Sequence, residues 1–239
     1  MVKSFPPAQI TTPETFILES LSLDDESNER YDGRILYQML RLQGKHPKYY
    51  YFRTKKELTN LFSEFRSTGY RYLHLSCHGS HSCLELTFDT LSFHQFGELS
   101  AGLLNNRRLF ISGCSLGTAS FAEAVFAKSG GMYSIIAPTQ PIRFEQAAVF
   151  WSSFYYLMHS VREDAMKKEY IAKALKHTSR IFEVSMAYFH KGKGNSIEES
   201  RYPASDTPIL WGDADSEAAS KLASREGSAH DPALPPSAR

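Results

Sequence analysis

The stretch YRYLHLSCHGS at residues 70–80 decides the fold class. Its first eight residues are dominated by tyrosine and leucine and contain no glycine or proline, which is typical of a strand. A second stretch of the same design, RLFISGCSLG at residues 108–117, again places a polar loop directly after an apolar strand. Open α/β sheets collect their active groups at the carboxyl ends of their strands. Both stretches therefore indicate such a sheet.

The rest of the chain alternates between strand and helix patterns. Strands are predicted at residues 15–21, 48–53, 70–77, 83–88, 108–112 and 132–137. Helices are predicted at residues 32–44, 54–69, 92–104, 118–128, 143–160 and 163–183. This alternation predicts βαβ units, a mainly parallel central sheet and helices on both of its faces.

Two of these helices have clear local signals. Thr54 and Glu57 have the spacing of a capping box, and Gly69 is placed to end the same helix. Its predicted apolar face consists of Leu58, Leu61, Phe62 and Phe65. The helix at residues 32–44 is expected to bury Ile35, Leu36, Met39 and Leu40, which recur at helical spacing.

The composition excludes a wholly disordered chain, a coiled coil, a collagen and a membrane bundle. The chain has 239 residues, of which 42% are hydrophobic and 22% charged, as in ordinary globular domains. Lys and Arg number 27 against 26 Asp and Glu, so nothing in the charge calls for nucleic acid or an anionic membrane as a partner. No apolar run reaches the length of a membrane span.

Three cysteines, an odd number, fit a reducing compartment better than secretion, and the first residues do not resemble a signal peptide. We therefore expect a cytoplasmic protein. Residues 1–215 are expected to form one domain. Residues 216–239 lack aromatic residues and are expected to be a disordered tail.

One histidine and one cysteine stand at the two strand ends. His78 follows the first stretch and Cys114 follows the second, so the sheet would bring them to one edge. A cysteine attacks as its thiolate, and a helix starting directly after Cys114 together with a nearby imidazolium would favour that form. The backbone amides of Gly79 and Cys114 are the expected oxyanion donors.

Other interpretations of these residues remain open. Cys114 alone could be a packing residue, and His74, inside its strand, is expected to be a core histidine. The sequence Gly113-Cys114-Ser115-Leu116-Gly117 also matches the G-x-S-x-G elbow of serine hydrolases, with Ser115 attacking. Cys77, His78, His81 and Cys83 lack the spacing of a zinc site, so no metal is predicted. A catalytically silent interaction module on the same scaffold is the further alternative.

At this point the chain resembles the caspase-like CHAT peptidases, in the clan of caspases and separases. The resemblance runs from about Thr15 to Asp213. Its anchors are YLHLSCHGS, the Leu84–Leu86 segment, RLFISGCSLG, Phe154–Tyr155 and PILWGD at residues 208–213. Members often carry an acidic residue after the cysteine, where this chain has Ser115, so no role is transferred to that position.

The resemblance implies an α/β fold of the caspase-like type, a three-layer αβα sandwich with a mainly parallel sheet, with residues 1–215 as a CHAT peptidase domain. It implies a cysteine endopeptidase in which Cys114 is the nucleophile and His78 the general base and acid, with no cofactor. It also implies a protein or peptide substrate and a regulated effector role in signalling or immune defence. Any activator or sensor would then be a separate partner.

The residues that would determine substrate specificity are less clearly indicated by the sequence. Peptidases of this clan typically recognise one charged residue before the scissile bond. Glu145 and Arg143, which follow the stretch MYSIIAP at residues 132–138, are candidates for binding it, and Asp89 is a third. A carboxylate would select lysine or arginine and a guanidinium would select aspartate.

Overall fold

The computed structural model describes residues 11–161 and 166–204, which form an α/β structure. Seven strands follow the order β2-β1-β3-β6-β7-β8-β9, and the hairpin β4–β5 pairs with the end of β3. The strands are β1 (Thr12–Ser20), β2 (Lys48–Tyr51), β3 (Tyr70–Gly79), β4 (Cys83–Glu85), β5 (Thr90–Ser92), β6 (Arg108–Ser112), β7 (Ser134–Pro138), β8 (Met186–Lys191) and β9 (Ile197–Tyr202).

Along the spatial order β2-β1-β3-β6-β7, each strand is parallel to its neighbours. Strands β8 and β9 pair antiparallel and extend the sheet beyond β7. The helices are α1 (Leu23–Ser27), α2 (Asp32–Leu42), α3 (Lys55–Thr68), α4 (Phe93–Leu99), α5 (Ala119–Lys128), α6 (Phe144–Val161) and α7 (Lys168–Ile181). The predicted α/β class with a mainly parallel sheet is confirmed.

Two apolar cores lie on opposite faces of the sheet. One contains residues from α3, α4 and α5, including Phe62, Phe96 and Phe121. The other contains residues from α2, α6 and α7, including Leu36 and Trp151. Burying both sheet faces under helices gives the three layers that the alternation predicts.

Local signals locate several elements accurately. The capping box of Thr54 and Glu57 is present, and Gly69 ends α3 with φ of 66°. Strand β6 has the predicted bounds, and α5 begins after Thr118, whose hydroxyl accepts a hydrogen bond from the Phe121 amide. His74 is fully buried, as expected of a core histidine.

Other predictions of elements are wrong. Strands β8 and β9 were not foreseen; all of β8 except Lys191 is buried, and such a short run has no alternation to identify it. The predicted helix at 92–104 is reduced to α4: Ser92 pairs with β4 and caps the helix, and the helix ends at its C-cap Ser100, before Gly102, whose φ is 67°. Strand β4 ends at Glu85 rather than at residue 88, and β7 starts at Ser134 rather than at residue 132.

Ile35 is also placed differently. It was expected in the core, yet 49% of it is exposed, because its position on α2 borders an open cavity rather than the sheet. The helix predicted at residues 163–183 corresponds to α7, which begins at Lys168. Residues 162–165 lie outside the described residues. The predicted boundary at residue 215 and the predicted tail also lie outside the described residues. In the described part, no helix combines the length and apolar character needed to cross a membrane.

Candidate active site

The sheet brings His78 and Cys114 to the same small cavity. Strands β3 and β6 are parallel neighbours, and Ser76 lies opposite Ser112 in their register. His78 and Cys114 each follow two residues later in the chain. Both residues line a cavity of about 40 Å³ at the carboxyl ends of these strands, large enough for about one water molecule. This is the convergence that the two sequence stretches predict.

His78 is held by a carboxylate that the sequence analysis did not identify. Nε2 of His78 lies 2.6 Å from Oδ2 of Asp25, in the short helix α1. Asp25 is 5% exposed, and its other oxygen accepts a hydrogen bond from Nη1 of Arg30 at 2.9 Å. The Ser22 hydroxyl donates to Oδ2, the oxygen that also faces His78. The sequence signal was local: Ser22 and Asp25 have the spacing of a helix N-cap.

These partners keep Asp25 ionised. Burial by itself would raise its pKa, but the hydrogen bonds from Ser22, Arg30 and His78 outweigh burial and lower the pKa below its usual value. An ionised Asp25 accepts a hydrogen bond from Nε2–H of His78, which leaves Nδ1 as the free ring nitrogen. The edge of the His78 ring also packs against Phe144, with ring centroids 5.7 Å apart.

The sulfur of Cys114 lies beside the loop that precedes α6. The Ile142 amide N–H donates to Sγ at 3.5 Å, and the Ile142 carbonyl oxygen lies 3.5 Å from the same sulfur. The sulfur therefore has a backbone donor and, as a thiol, a backbone acceptor at the same distance.

The expectation that a helix starts directly after Cys114 is wrong. Helix α5 begins at Ala119, behind a loop in which Gly117 N–H donates to the carbonyl oxygen of Pro138 at 2.7 Å. A Cβ on Gly117 would lie 2.7 Å from the Ala137 carbonyl oxygen, so this loop requires glycine and cannot continue as helix up to Cys114. The field of a helix terminus falls off within a turn, so α5 contributes little at the sulfur.

The two glycines beside the site have a packing role. A Cβ on Gly79 or on Gly113 would lie 2.7 Å from the side chain of Leu116, which is fully buried between the two loops. The backbone N–H of Cys114 donates no hydrogen bond within the described part of the chain. The assignment of the Gly79 and Cys114 amides as oxyanion donors stays a prediction.

A buried carboxylate joins the two strands just before the site. Asp32, the first residue of α2, accepts hydrogen bonds from the hydroxyls of Ser76 and Ser112, each at 2.5 Å. Ser76 stands two positions before His78 within β3, so their side chains share one face of the sheet, and Ser112 is the last residue of β6. Asp32 is 4% exposed and lines the small cavity.

Asp32 has a second carboxyl group beside it. Glu19, at the end of β1, accepts hydrogen bonds from the Gly33 amide and the Tyr49 hydroxyl, both at 2.7 Å. Burial and the nearby Asp32 charge raise the pKa of Glu19 to about 8. Burial raises the pKa of Asp32 as well, against the hydrogen bonds from Ser112 and Ser76 that lower it, so the two carboxyl groups form an interacting pair that holds protons together near neutral pH.

A larger cavity, of about 500 Å³, adjoins the small one and shares Asp32, Ile142 and Phe144 with it. Exposed Ile35 lies on its wall. Two of the three predicted specificity residues, Arg143 and Glu145, also line this larger cavity, where their side chains pair at 2.8 Å.

The third predicted specificity residue lies elsewhere. Asp89 accepts a hydrogen bond from the Lys55 amide at 2.7 Å, at the start of α3, and lines neither cavity. Ser115, the alternative nucleophile, is 5% exposed with φ of 56° and also lines neither.

The chain was compared with known proteins. No family model matches it, and no curated protein does. A solved structure similar to this one is a secreted C11 cysteine protease from Bacteroides thetaiotaomicron, named iotapain. The TM-score is 0.47 and the sequence identity 10%, over 76% of this chain and 67% of that one. At this level the likeness assigns no activity to the chain.

Proposed function

We propose that this protein is a cysteine endopeptidase in which Cys114 is the nucleophile, His78 the general base and acid, and Asp25 the residue that positions His78. The observation that carries the proposal is the hydrogen bond from His78 to Asp25 at the cavity that His78 shares with Cys114. A histidine fixed by a buried carboxylate beside a cysteine is the arrangement that activates a thiol for acyl transfer.

The reaction follows from these positions. The Cys114 thiolate attacks the scissile carbonyl carbon, a C–S bond forms, and the carbonyl electron pair moves to oxygen. His78, protonated at Nδ1, gives that proton to the amine nitrogen as the C–N bond breaks. Water then attacks the thioester while Nδ1 takes a proton from it, and the C–S bond breaks to release the carboxylate product. The backbone amides of Gly79 and Cys114 are proposed to bind the oxyanion in both steps.

Asp32 favours a substrate with a basic residue before the scissile bond. Among the described residues that line the small cavity it is the acidic one, whereas Arg143 and Glu145 are paired with each other and mostly exposed, which makes them weaker discriminators. The small cavity alone has no room for a lysine or arginine side chain. Asp32 lines the larger cavity as well, so a long side chain would approach it from there. We therefore propose cleavage after lysine or arginine.

The proposal extends to the surroundings of the enzyme. We expect a protein or peptide substrate, a cytoplasmic location, a separate activator or sensor, and a regulated role in signalling or immune defence. Residues 1–215 are proposed as the peptidase domain, with residues 216–239 as a tail. Fractionation of cells that produce the tagged chain, followed by affinity capture with Cys114→Ala, tests the location and partners.

Peptide hydrolysis tests the activity itself. Fluorogenic peptides that end in Lys, Arg, Asp or Leu before the reporter are incubated with the full chain and with Cys114→Ala and Cys83→Ala. Cleavage that is abolished by Cys114→Ala and retained by Cys83→Ala supports the proposal. Cleavage that survives Cys114→Ala contradicts it. An absence of hydrolysis, together with no reaction of Cys114 with a peptide electrophile, would favour the silent interaction module.

A further inference from the structure

The larger cavity beside the active site is bordered by the first turns of two helices. Asp32 and Ile35 stand three positions apart on α2, so their side chains share one face of that helix. Phe144 and Ala148 stand four positions apart on α6 and line the same cavity. The cavity therefore combines a carboxyl group with an apolar surface, and the exposed Ile35 belongs to that surface.

The arginines around this cavity already have acidic partners. Arg30 donates to Asp25 at 2.9 Å, and Arg143 pairs with Glu145 at 2.8 Å. Neither guanidinium group therefore depends on Asp32 for a counter-charge. A positively charged group of a substrate can approach Asp32 without displacing an arginine from it.

The hydrogen bonds that Asp32 already accepts limit what it can bind. An ionised carboxylate has about four acceptor positions on its two oxygens. Ser76 donates to Oδ1 and Ser112 to Oδ2, each at 2.5 Å. Glu19 hydrogen-bonds the same carboxyl group and takes a third position. At most one position is left, which matches a single N–H donor rather than the two parallel donors of an arginine fork.

The shape of the two cavities favours the same kind of donor. Asp32 lines both of them, and the small one, at about 40 Å³, holds about one water molecule. A lysine ammonium is a compact charge, whereas a guanidinium is a wider planar group. The hydrocarbon stem of lysine can pack along an apolar wall while its charge stays at a carboxylate.

On the basis of the proposed function, we propose that the enzyme prefers lysine to arginine before the scissile bond, with the ammonium at Asp32 and the stem against Ile35. Steady-state hydrolysis by the full chain tests this with fluorogenic peptides that differ only in the last residue, which is Lys, Arg or Ala. The value of kcat/KM for the Lys peptide should exceed that for the Arg peptide by roughly tenfold or more, because the second N–H of the fork finds no acceptor.

Two variants test the two contacts. Ile35→Ala should lower kcat/KM for the Lys peptide by about threefold or more and leave the Ala peptide unchanged, since an alanine side chain is too short to reach Ile35. Leu42→Ala, an exposed change on the same helix, is the matched control and should cleave the Lys peptide like the wild type. Ser76→Ala frees an acceptor position of Asp32, so it should raise kcat/KM for Arg relative to Lys by about threefold or more.

Thermal melts of every variant verify folding. The inference is overturned if the wild type cleaves the Arg peptide as fast as the Lys peptide, if folded Ile35→Ala cleaves the Lys peptide normally, or if folded Ser76→Ala keeps the wild-type ratio. In each of these cases, cleavage that depends on Cys114 leaves the proposed peptidase activity standing. If no peptide is cleaved, or if cleavage survives Cys114→Ala, the proposed function itself fails and the preference for lysine fails with it.

Discussion

Asp25 Oδ2 lies 2.6 Å from Nε2 of His78, although the two residues are 53 positions apart in the chain. Asp25 is fixed in turn by Ser22 and Arg30, so the carboxylate is held before any substrate binds. A positioned carboxylate selects the histidine tautomer that presents Nδ1 to the reaction and stabilises the imidazolium that forms. The proposed catalytic site therefore consists of three residues rather than the two that the motifs suggest.

Replacing Asp25 tests this role. Asp25→Asn should lower kcat by about 10²–10⁴-fold with little change in KM, because the histidine loses its charged partner while the substrate contacts remain. Asp24→Asn, an exposed change on the same helix, is the control and should leave kcat unchanged. Steady-state kinetics with a lysine peptide provide the measurement. A normal kcat in folded Asp25→Asn would remove Asp25 from the mechanism.

Asp32 should determine the preference for basic residues. Asp32→Asn should lower kcat/KM for peptides ending in Lys or Arg by about 30-fold or more, since the carboxyl group that would pair with the cationic side chain is lost. The rate for a Leu peptide and the alkylation of Cys114 by iodoacetamide should change little.

The Leu peptide and the iodoacetamide reaction distinguish a wrong substrate assignment from a disturbed active site. If Asp32→Asn cleaves Lys peptides as the wild type does, the substrate assignment is wrong while the peptidase stands. If iodoacetamide no longer modifies Cys114, the Asp32→Asn substitution has disturbed the site, and the same measurements are made with Asp32→Ser instead.

The carboxyl pair should make stability depend on pH. The pKa of Glu19 is about 8 when folded and near 4.3 when unfolded, so the folded chain holds one more proton between these values. The free energy of unfolding should therefore fall as pH rises through this window, by up to about 1.4 kcal/mol per pH unit from this group, and level off above pH 8.

Glu19→Gln should remove this contribution, because glutamine does not titrate. Urea unfolding at several pH values between 5 and 9 measures it, with Glu123→Gln at an exposed position of α5 as the control. If Glu19→Gln and wild type show parallel curves, Glu19 does not hold the extra proton of the folded chain.

Exchanging the candidate nucleophiles distinguishes the two hydrolase mechanisms. Ser115→Ala should keep most of the activity, since Ser115 is buried and lines neither cavity at the site. Cys114→Ala should abolish hydrolysis while the melting temperature stays nearly the same. Fluorogenic assays and thermal melts measure both. Loss of hydrolysis in Ser115→Ala with retention in Cys114→Ala would instead identify a serine hydrolase.

Local sequence patterns were sufficient for the strands that carry His78 and Cys114. Both residues directly follow apolar stretches, and the rule for parallel sheets then places them at one edge. The capping box of α3 was equally local, because Thr54 and Glu57 interact with their own neighbours.

The contacts that complete the site were not predictable in this way. Asp25 reaches His78 only through the fold, and Asp32 bridges Ser76 and Ser112 from a different helix. Helical periodicity grouped Ile35 with Leu36 and Leu40, but it does not reveal where the edge of a helix borders a cavity. The antiparallel pair β8–β9 needed a partner strand that no local pattern names.

Covalent labelling tests the central claim most directly. The full chain is incubated with a peptidyl chloromethyl ketone that carries lysine next to the reactive group, and the modified residue is mapped by mass spectrometry of peptides. We predict one adduct, on Cys114, that forms much more slowly in Asp25→Asn and is absent from Cys114→Ala. Labelling of Cys83 or Ser115 in preference to Cys114, or no labelling at all, would contradict the account.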